Sequence, residues 1–181
     1  MLDRIGDEVA RATSLVRYAP GSRFPTHAHD LGEEFIVLDG VFSDASGDFA
    51  QGAYVRNPPG TSHAPWTDDG CVIFVKLRQF DPEDLNPVAT MITAHADAQT
   101  PQGLHTFGSE VVDVLAISES QGAKAWTSPA GGTELLVLAG RAQVNGESCD
   151  PWHWLRFPAD AAISVSGNCQ IYRKQGHLPA S

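Results

Sequence analysis

Two stretches decide the fold: Gly21-Ser-Arg-Phe-Pro-Thr-His27-Ala-His29-Asp-Leu-Gly-Glu33-Glu-Phe-Ile-Val-Leu-Asp-Gly40 and Gly52-Ala-Tyr-Val-Arg-Asn-Pro58-Pro-Gly-Thr-Ser-His63. Side chains along a strand alternate between its two faces, so His27 and His29 point the same way. Glu33 has the same parity if the strand resumes after the turn at Asp30-Leu31-Gly32, and the Pro-Pro-Gly turn aims His63 at the start of another strand. We therefore expect three imidazoles and one carboxylate to converge inside a β-barrel.

These four side chains are a typical donor set for a divalent metal ion. Imidazole and carboxylate groups accept most first-row ions, so the pattern predicts one bound ion, Zn, Fe, Mn or Ni, without identifying it. Four protein donors would leave one or two positions open for water or a substrate, as a catalytic or sensing site requires. The alternative, scattered surface or hydrogen-bonded core residues, fits a lone histidine better than four donors bracketed by glycines and a Pro-Pro-Gly turn.

The rest of the chain has the pattern of an all-β protein. Short apolar runs are interrupted by Gly, Pro, Asp and Asn about every ten residues, which is typical of a sandwich or barrel. The predicted strands cover residues 15–18, 34–38, 53–56, 72–77, 111–117, 134–138, 153–157, 162–165 and 170–173. Turn-forming residues separate the runs, among them Asp39-Gly40, Ala139-Gly140 and Asn145-Gly146. Residues 81–86 are predicted to form a short helical turn.

An internal repeat divides the chain. Glu34-Phe-Ile-Val-Leu-Asp-Gly40 aligns with Glu134-Leu-Leu-Val-Leu-Ala-Gly140, and Tyr54-Val-Arg-Asn-Pro58 aligns with Trp154-Leu-Arg-Phe-Pro158. The spacing stays near 100 residues, which predicts two tandem copies of one β unit. We place a linker around residues 82–100. We expect a metal-binding barrel at residues 1–85 and a second barrel at residues 86–181.

The two stretches quoted first resemble the two sequence motifs of the cupins, small barrels with a double-stranded β-helix, or jelly-roll, fold. Residues 32–44, 52–63 and 70–80 are similar in particular to the cupin domain of ChrR-type anti-sigma factors. The resemblance covers about residues 14–80 and implies a bicupin made of two such barrels. It also implies that the metal ligands are His27, His29, Glu33 and His63.

The sequence departs from the ChrR type in two ways. Thr67 stands where the second motif of many cupins ends with Asn. Proteins of the ChrR type also grip a sigma factor through an N-terminal zinc-binding helical domain, whereas this sequence starts directly at the β repeat. We therefore expect a ChrR-like cupin without the zinc-binding anti-sigma domain and assign it no anti-sigma activity.

The second copy keeps the scaffold but loses the donors. Thr133 occupies the position of Glu33, and Ile163 occupies that of His63. Trp126-Thr-Ser-Pro-Ala130 replaces the His-x-His stretch. An apolar residue at a ligand position predicts a packed or merely ligand-accepting interior, so the second barrel is expected to be degenerate.

Residues beside the predicted site are candidates for supporting it. A metal-bound histidine usually donates its other N–H to a carboxylate or carbonyl. The polar or aromatic candidates, each equally compatible with a structural role, are Tyr54, Asn57, Trp66, Lys76 and Arg78. Trp66 follows His63 by three residues, which allows it to wall the pocket. His153 has no partner histidine nearby and is interpreted as structural or surface-exposed. No role is assigned to the remaining histidines, His95, His105 and His177.

Three functions are compatible with such a site, and no catalytic residue is predicted. The first is a metal-dependent dioxygenase, since cupins with this ligand set include enzymes that cleave β-diketones and flavonols. The second is a non-enzymatic module that binds or senses a small molecule or oxidant, as the ChrR resemblance implies. The third is a structural metal that staples the barrel. We prefer a metal-binding bicupin that takes a small-molecule ligand.

Composition excludes other classes. The 181 residues include 22 acidic and 12 basic ones, a net charge of −10, which argues against nucleic acid and anionic membrane surfaces as partners. The apolar runs are strand-sized, so no membrane span or signal peptide is predicted. Three isolated cysteines, Cys71, Cys149 and Cys169, are interpreted as reduced, buried thiols of a cytoplasmic protein. A homodimer is an open alternative, although two barrels on one chain can mimic that dimer.

Overall fold

The computed structural model describes residues 1–6, 10–94 and 100–178 of the chain. Over these residues the regular structure consists of β-strands and one short 3-10 helix, Glu119–Gln121. No helix in this part of the chain is long and apolar enough to cross a membrane. The chain divides into two compact units, Met1–Ile92 and Thr93–Ser181. The all-β class predicted from the sequence is confirmed.

The first unit contains nine strands within its described residues. They are β1 (Asp3–Ile5), β2 (Arg11–Tyr18), β3 (His27–Ala28), β4 (Glu33–Asp44), β5 (Gly47–Ala50), β6 (Ala53–Asn57), β7 (Ser62–His63), β8 (Cys71–Leu77) and β9 (Val88–Met91). Seven of them form one sheet in the order β1-β2-β8-β4-β6-β9, with β5 paired to β4. β3 and β7 form a separate two-stranded sheet.

Alternate residues of the central strands build the core of this unit. Ile73 and Val75 of β8 pack with Phe35 and Val37 of β4, and each of the four is at most 5% exposed. Burying an apolar side chain of this size stabilises the fold by about 1.5–3 kcal/mol, so the alternation determines which face of each strand turns inward. Glu33 has the same parity as Phe35 and Val37, and its carboxylate is therefore directed into the same interior.

The second unit is likewise one large sheet around an apolar interior. Its strands are β10 (Gln102–Phe107), β11 (Glu110–Ile117), β12 (Lys124–Thr127), β13 (Thr133–Val144), β14 (Glu147–Cys149), β15 (Trp154–Phe157) and β16 (Ala162–Gln175). They follow the order β10-β11-β16-β13-β14, with β12 paired to β16 and β15 paired to β13. The core of the unit includes Leu115, Leu135, Val137, Ile163 and Ile171.

The turns predicted at Asp39-Gly40 and Ala139-Gly140 are wrong, because both pairs lie inside long continuous strands. β4 and β13 each shift register against the neighbouring central strand just before the glycine. Such a shift is a β-bulge, and it uses backbone conformations that glycine adopts without steric cost. Both glycines have a φ of 74°. They bend the strands instead of ending them.

Two other predicted segments differ from the structure. The strands predicted at residues 162–165 and 170–173 are parts of the single strand β16. The linker predicted around residues 82–100 contains β9, which pairs with β6, so the first compact unit extends to Ile92. Residues 95–99 of that linker lie outside the described residues.

Two further segments, residues 81–86 and Asn145-Gly146, are predicted to form short turns. Residues 81–86 form no helix, and the Asp84 N–H donates to the Asp81 carbonyl oxygen over 3.0 Å in a single turn. The turn predicted at Asn145-Gly146 is confirmed, since it connects β13 with β14. Both residues have positive φ, 50° and 86°, as a two-residue hairpin turn requires.

Candidate metal centre

A short pair of strands holds two of the predicted donors. β3 and β7 run antiparallel with His27 opposite His63. The His29 N–H donates to the Thr61 carbonyl oxygen over 2.9 Å, and the Gly60 N–H donates to the His29 carbonyl oxygen over 3.0 Å. The Pro-Pro-Gly turn is thereby locked against the His-x-His segment.

Glu33 reaches the same place from the first position of β4. Gly32, with a φ of 77°, turns the chain into that strand. The Glu33 Oε1 atom lies 3.7 Å from His29 Nε2 and 3.5 Å from His63 Nε2. With His27 included, one potential ligand atom from each residue lies within 4.8 Å of all the others. The structure therefore brings the four predicted residues together.

A hydroxyl group sets the tautomer of His29. The Thr61 hydroxyl donates to the Pro58 carbonyl oxygen over 2.7 Å. Its oxygen is therefore the acceptor for His29 Nδ1, which lies 3.0 Å away. A neutral imidazole carries one N–H, so the proton of His29 is on Nδ1 and its Nε2 presents a lone pair.

The other two imidazoles are oriented in the same way. His63 Nδ1 lies 2.9 Å from Asp44 Oδ2, and His27 Nδ1 lies 3.1 Å from the Pro25 carbonyl oxygen. Carbonyl and ionised carboxylate oxygens only accept hydrogen bonds, so both histidines donate through Nδ1. All three histidines are then left with Nε2 free to bind an ion.

The free nitrogens fit a divalent metal ion. Nε2 of His29 and Nε2 of His63 are buried without a hydrogen-bond partner, and leaving such a group unsatisfied costs about 1–3 kcal/mol. Two donors that each lie about 2.1 Å from one ion are about 3.0–3.4 Å apart in octahedral or tetrahedral coordination. The 3.5 and 3.7 Å separations from Glu33 Oε1 are close to that range.

Electrostatics prepare the cluster for a cation. Burial, followed by the neighbouring His63 and His27, lowers the pKa of His29 to about 4, so at neutral pH His29 has the uncharged form that metal binding needs. Burial raises the pKa of Glu33, whereas His63 and a 3.3 Å hydrogen bond from Asn57 Nδ2 act in the opposite direction. A divalent ion would be the largest local charge and would favour the carboxylate.

A cavity of about 340 Å³ lies beside the cluster, and its lining includes all four donors together with Tyr18 and Phe42. His29 and Glu33 are buried, whereas His27 is exposed, so the cluster opens to the outside on the His27 side. Burial, followed by the charge of Glu33, raises the pKa of Tyr18 to about 12. The phenol therefore keeps its proton at neutral pH and can donate a hydrogen bond.

Two of the five predicted neighbours contact the site. Asn57 donates to the cluster carboxylate, and Arg78 lines the cavity. Among the residues the structure describes, Tyr54, Trp66 and Lys76 do not line it. Lys76 faces away because its parity is opposite to that of the inward residues of β8, and its Nζ donates to the Thr13 hydroxyl over 3.0 Å.

The residues that orient the imidazoles are absent from the sequence prediction. Thr61 stands inside the quoted Pro-Pro-Gly-Thr motif, and its place two residues before His63 is a signal that could have identified it. Asp44 ends β4 and Pro25 contributes only its backbone carbonyl. For these two residues the sequence contains no comparable signal.

The second unit presents different side chains at the corresponding strand positions. Trp126 of β12 lies opposite Ile163 of β16, in the manner in which β3 pairs with β7. Thr133 begins β13, and its Oγ1 lies 2.9 Å from Ser128 Oγ in a buried pair. His153 is exposed in the turn before β15.

Comparison with known sequences identifies a family for the first unit. Residues 1–81 match the ChrR cupin-like domain. A search of curated protein sequences finds no match.

Solved structures share the fold at low sequence identity. The bacterial pirin YhhW from Escherichia coli in complex with nickel(II) is 16% identical with a TM-score of 0.69, covering 93% of this chain and 82% of that chain. The cupin 2 conserved barrel domain protein from Leptotrichia buccalis is 13% identical with a TM-score of 0.60, covering 96% and 86%. A mutant of salicylate 1,2-dioxygenase from Pseudoaminobacter salicylatoxidans is 10% identical with a TM-score of 0.63, covering 91% and 69%.

Residues 1–81, which make up nearly all of the first unit, match a cupin family, the ChrR cupin-like domain, and the resemblance predicted from the sequence is confirmed. The solved structures show that the fold of the chain is shared with cupin proteins. The donor set is suited to a divalent metal ion.

Proposed function

We propose that the protein binds one divalent metal ion through His27, His29, Glu33 and His63, and that the ion serves to bind or sense a small molecule or oxidant. The observation that carries the proposal is the common orientation of the imidazoles. Each Nδ1 has a protein acceptor, and the ligand atoms gather within 4.8 Å around one carboxylate. The match to the ChrR cupin-like domain supports the sensing role.

Each supporting residue has a distinct task in this proposal. Thr61, Asp44 and the Pro25 carbonyl hold the imidazoles in one tautomer, which raises their basicity toward an ion. Asn57 orients the carboxylate. An ion held by the four predicted donors would supply a Lewis acid. Tyr18 offers a phenolic hydrogen bond to a ligand that enters the same cavity.

We further propose that the two units are tandem cupin barrels. The first is built on residues 1–85 and completed by β9, and it carries the metal. The second, predicted from residue 86 onward, follows Ile92 and is degenerate because Trp126, Ser128, Thr133 and Ile163 stand at the donor positions. The matching strand registers of the two units support this assignment.

A metal-dependent dioxygenase that cleaves β-diketones or flavonols is the second candidate function. The cavity beside the cluster favours it, because its volume of about 340 Å³ falls within the range of small-molecule sites. A mutant of a salicylate 1,2-dioxygenase is also among the proteins of similar fold.

Metal analysis of protein purified without a chelating column tests the primary proposal. We expect about one divalent ion per chain in the wild type, and background levels in His63→Ala and Glu33→Gln, because four donors at one ion are the basis of its affinity. His153→Ala is the matched control, since this exposed histidine lies outside the cluster. Full metal content in His63→Ala would contradict the proposed site.

Oxygen uptake with a β-diketone and with a flavonol separates the two candidates. The dioxygenase candidate predicts substrate-dependent oxygen consumption that disappears in His63→Ala. Tightly bound zinc together with no oxygen consumption would eliminate the dioxygenase and leave the binding or sensing role.

A further inference from the structure

The cavity beside the metal cluster extends along β2. Three alternate residues of that strand, Ser14, Val16 and Tyr18, belong to its lining. Positions four residues apart on a strand are separated by about 13 Å. β8 runs antiparallel to β2, and its last residue, Leu77, lies near the Ser14 end. The residues that follow Leu77 are therefore remote from Tyr18.

The Tyr18 end of the cavity is apolar and aromatic. The Tyr18 ring lies 5.0 Å from the Phe24 ring and 5.8 Å from the Phe42 ring, centroid to centroid. Pro65 also lines the cavity, and its carbonyl oxygen accepts the Phe24 N–H over 3.0 Å. Phe24 is 38% exposed, so apolar surface reaches the mouth. An exposed apolar rim on a concave site indicates a ligand with an apolar body.

The opposite end carries a guanidinium. Arg78 and Asp30 both line the cavity, with Arg78 Nη2 2.8 Å from Asp30 Oδ2. The backbone of Arg78 has a φ of 59°, which non-glycine residues rarely adopt. Its N–H donates to the Gly32 carbonyl oxygen over 2.9 Å. A strained backbone retained at the mouth of a cavity is typical of a functional position.

The ion pair leaves Arg78 able to bind a second anion. Its partner Asp30 has a side chain that is 66% exposed, and water screens such pairs so that they contribute little to stability. A guanidinium has five N–H donors and binds carboxylates through two parallel hydrogen bonds. An incoming carboxylate can therefore share or replace the contact with Asp30.

The metal donors lie between these two ends. Glu33 pairs with Leu77 in the β4–β8 register, which places it toward the Arg78 end. The His63 ring lies 6.1 Å from the Phe42 ring, toward the aromatic end. A ligand that spans the cavity would pass the donor cluster.

We infer that the cavity takes a small organic carboxylate, with an aromatic or branched aliphatic body against Tyr18, Phe24 and Phe42 and the carboxylate at Arg78. This assignment of a ligand class rests on the proposed function, because the same cavity contains the metal donors. The assignment goes beyond the proposed function in one respect: the carboxylate of the ligand contacts the side chain of Arg78 instead of the metal ion. Arg78 is then a specificity-determining residue.

Calorimetric titration with 3-phenylpropanoate and 3-phenylpropanamide tests the inference, because the two probes share a body and differ in charge. Wild-type protein, used as purified, should bind the carboxylate more tightly than the amide. Arg78→Gln should weaken carboxylate binding about tenfold, as expected for the loss of a charge-assisted hydrogen bond, and leave amide binding unchanged. Asp30→Asn should strengthen carboxylate binding, because it removes the competing anion.

Arg23→Gln is the matched control. Arg23 forms a 2.8 Å pair with Asp68 like that of Arg78 with Asp30, and neither residue is in the described lining of the cavity. The inference is overturned if the wild type shows no preference for the carboxylate, or if Arg78→Gln and Arg23→Gln bind it equally well. Metal content measured in the same samples reports separately on the proposed function: a carboxylate preference without metal contradicts the metal proposal alone.

Discussion

At matching strand positions, the two units place different side chains in their interiors. In the first unit His27 lies opposite His63, and buried nitrogens remain without a protein partner. In the second unit Trp126 lies opposite Ile163, and Ile163 is 1% exposed within the apolar core. At these positions the first unit has donor atoms that an ion can satisfy, whereas the second has an indole and an aliphatic side chain, which do not bind metal ions.

A second pair of matching positions also differs, because Ser14 and Val75 line the cavity of the first unit whereas the second unit has an ion pair there. Asp113 lies opposite Arg173 in the β11–β16 register, as Ser14 lies opposite Val75 in the β2–β8 register. Arg173 donates to both oxygens of Asp113 over 2.9 and 2.6 Å, and its Cζ lies 4.9 Å from the centre of the Trp126 ring. These charges satisfy each other. The difference between the units teaches that the same strand positions can line an open cavity in one unit and carry a mutually satisfied ion pair in the other.

The largest effect is expected when donor residues of the first unit are replaced by the residues at the matching positions of the second unit. Glu33→Thr combined with His63→Ile should reduce metal content to background. In the presence of a chelator, two contributions to the free energy of unfolding should largely cancel. Removal of the unsatisfied His63 Nε2 stabilises the fold by up to about 1–3 kcal/mol, and loss of the hydrogen bond to the buried Asp44 carboxylate costs a similar amount. Metal analysis and urea unfolding measure the two effects.

His153→Ala is the control for this double variant, since it removes a histidine that is exposed. It should change neither metal content nor stability. A double variant that still holds metal would contradict the proposed donor set.

Breaking the ion pair of the second unit should have the next largest effect. Asp113→Ala leaves Arg173, whose side chain is 15% exposed, without its partner. Removing one partner of a largely buried pair costs about 3 kcal/mol. Urea unfolding should detect this loss, with metal content unchanged.

Asp150→Ala is the matched control, because the Arg141–Asp150 pair is 3.0 Å long but about 70% exposed on both sides. Its removal should cost less than about 1 kcal/mol. Equal losses from Asp113→Ala and Asp150→Ala would refute the role assigned to the buried pair.

The orientation of the donors is tested by Asp44→Asn. This change weakens the acceptor for His63 Nδ1, so metal affinity should fall by about 10–100-fold while saturating metal still binds. Competition with a coloured chelator measures the affinity. Asp68→Asn, in an exposed pair with Arg23, should leave it unchanged. Wild-type affinity in Asp44→Asn would show that the tautomer of His63 does not matter.

The smallest expected effect is the pH dependence of the metal-free protein. The pKa of His29 is 6.5 in a model peptide and about 4 in the fold. Between these values the unfolded chain binds more protons, so the free energy of unfolding decreases as the pH falls. The raised pKa of Glu33 opposes this trend, since the folded state then takes up its proton more readily.

Urea unfolding with a chelator at about pH 7 and about pH 4.5 measures this dependence. His29→Gln should lose less stability than the wild type between the two conditions. An identical loss in both proteins would show that His29 is protonated in the fold at the lower pH.

The gathering of His27, His29 and Glu33 was predictable because it follows from local geometry, whereas His63, 30 residues further on, was predicted from the Pro-Pro-Gly turn and the cupin resemblance. His27, His29 and Glu33 lie within seven residues of one another, and strand alternation alone gives them a common face. The repeat near 100 residues likewise indicated the loss of donors in the second copy. These features depend on the spacing of residues along the chain, which the amino-acid sequence gives directly.

Features that depend on register were not predictable in this way. Gly40 reads as a turn because glycine serves both turns and bulges, and only the partner strand distinguishes them. The Arg173–Asp113 contact joins residues 60 positions apart. Lys76 was a candidate for the site because the alternation in β8 does not reveal which face turns inward until β2 and β4 flank it.

The place of the central strand in each sheet has a consequence for biosynthesis. β8 lies between β2 and β4 and is complete at Leu77, whereas β16 pairs with β11, β12 and β13 and extends to Gln175. Domains fold as they leave the ribosome, the N-terminal one first. We therefore expect the histidine cluster to assemble, and to be able to capture its ion, while the strand that completes the second unit is still untranslated.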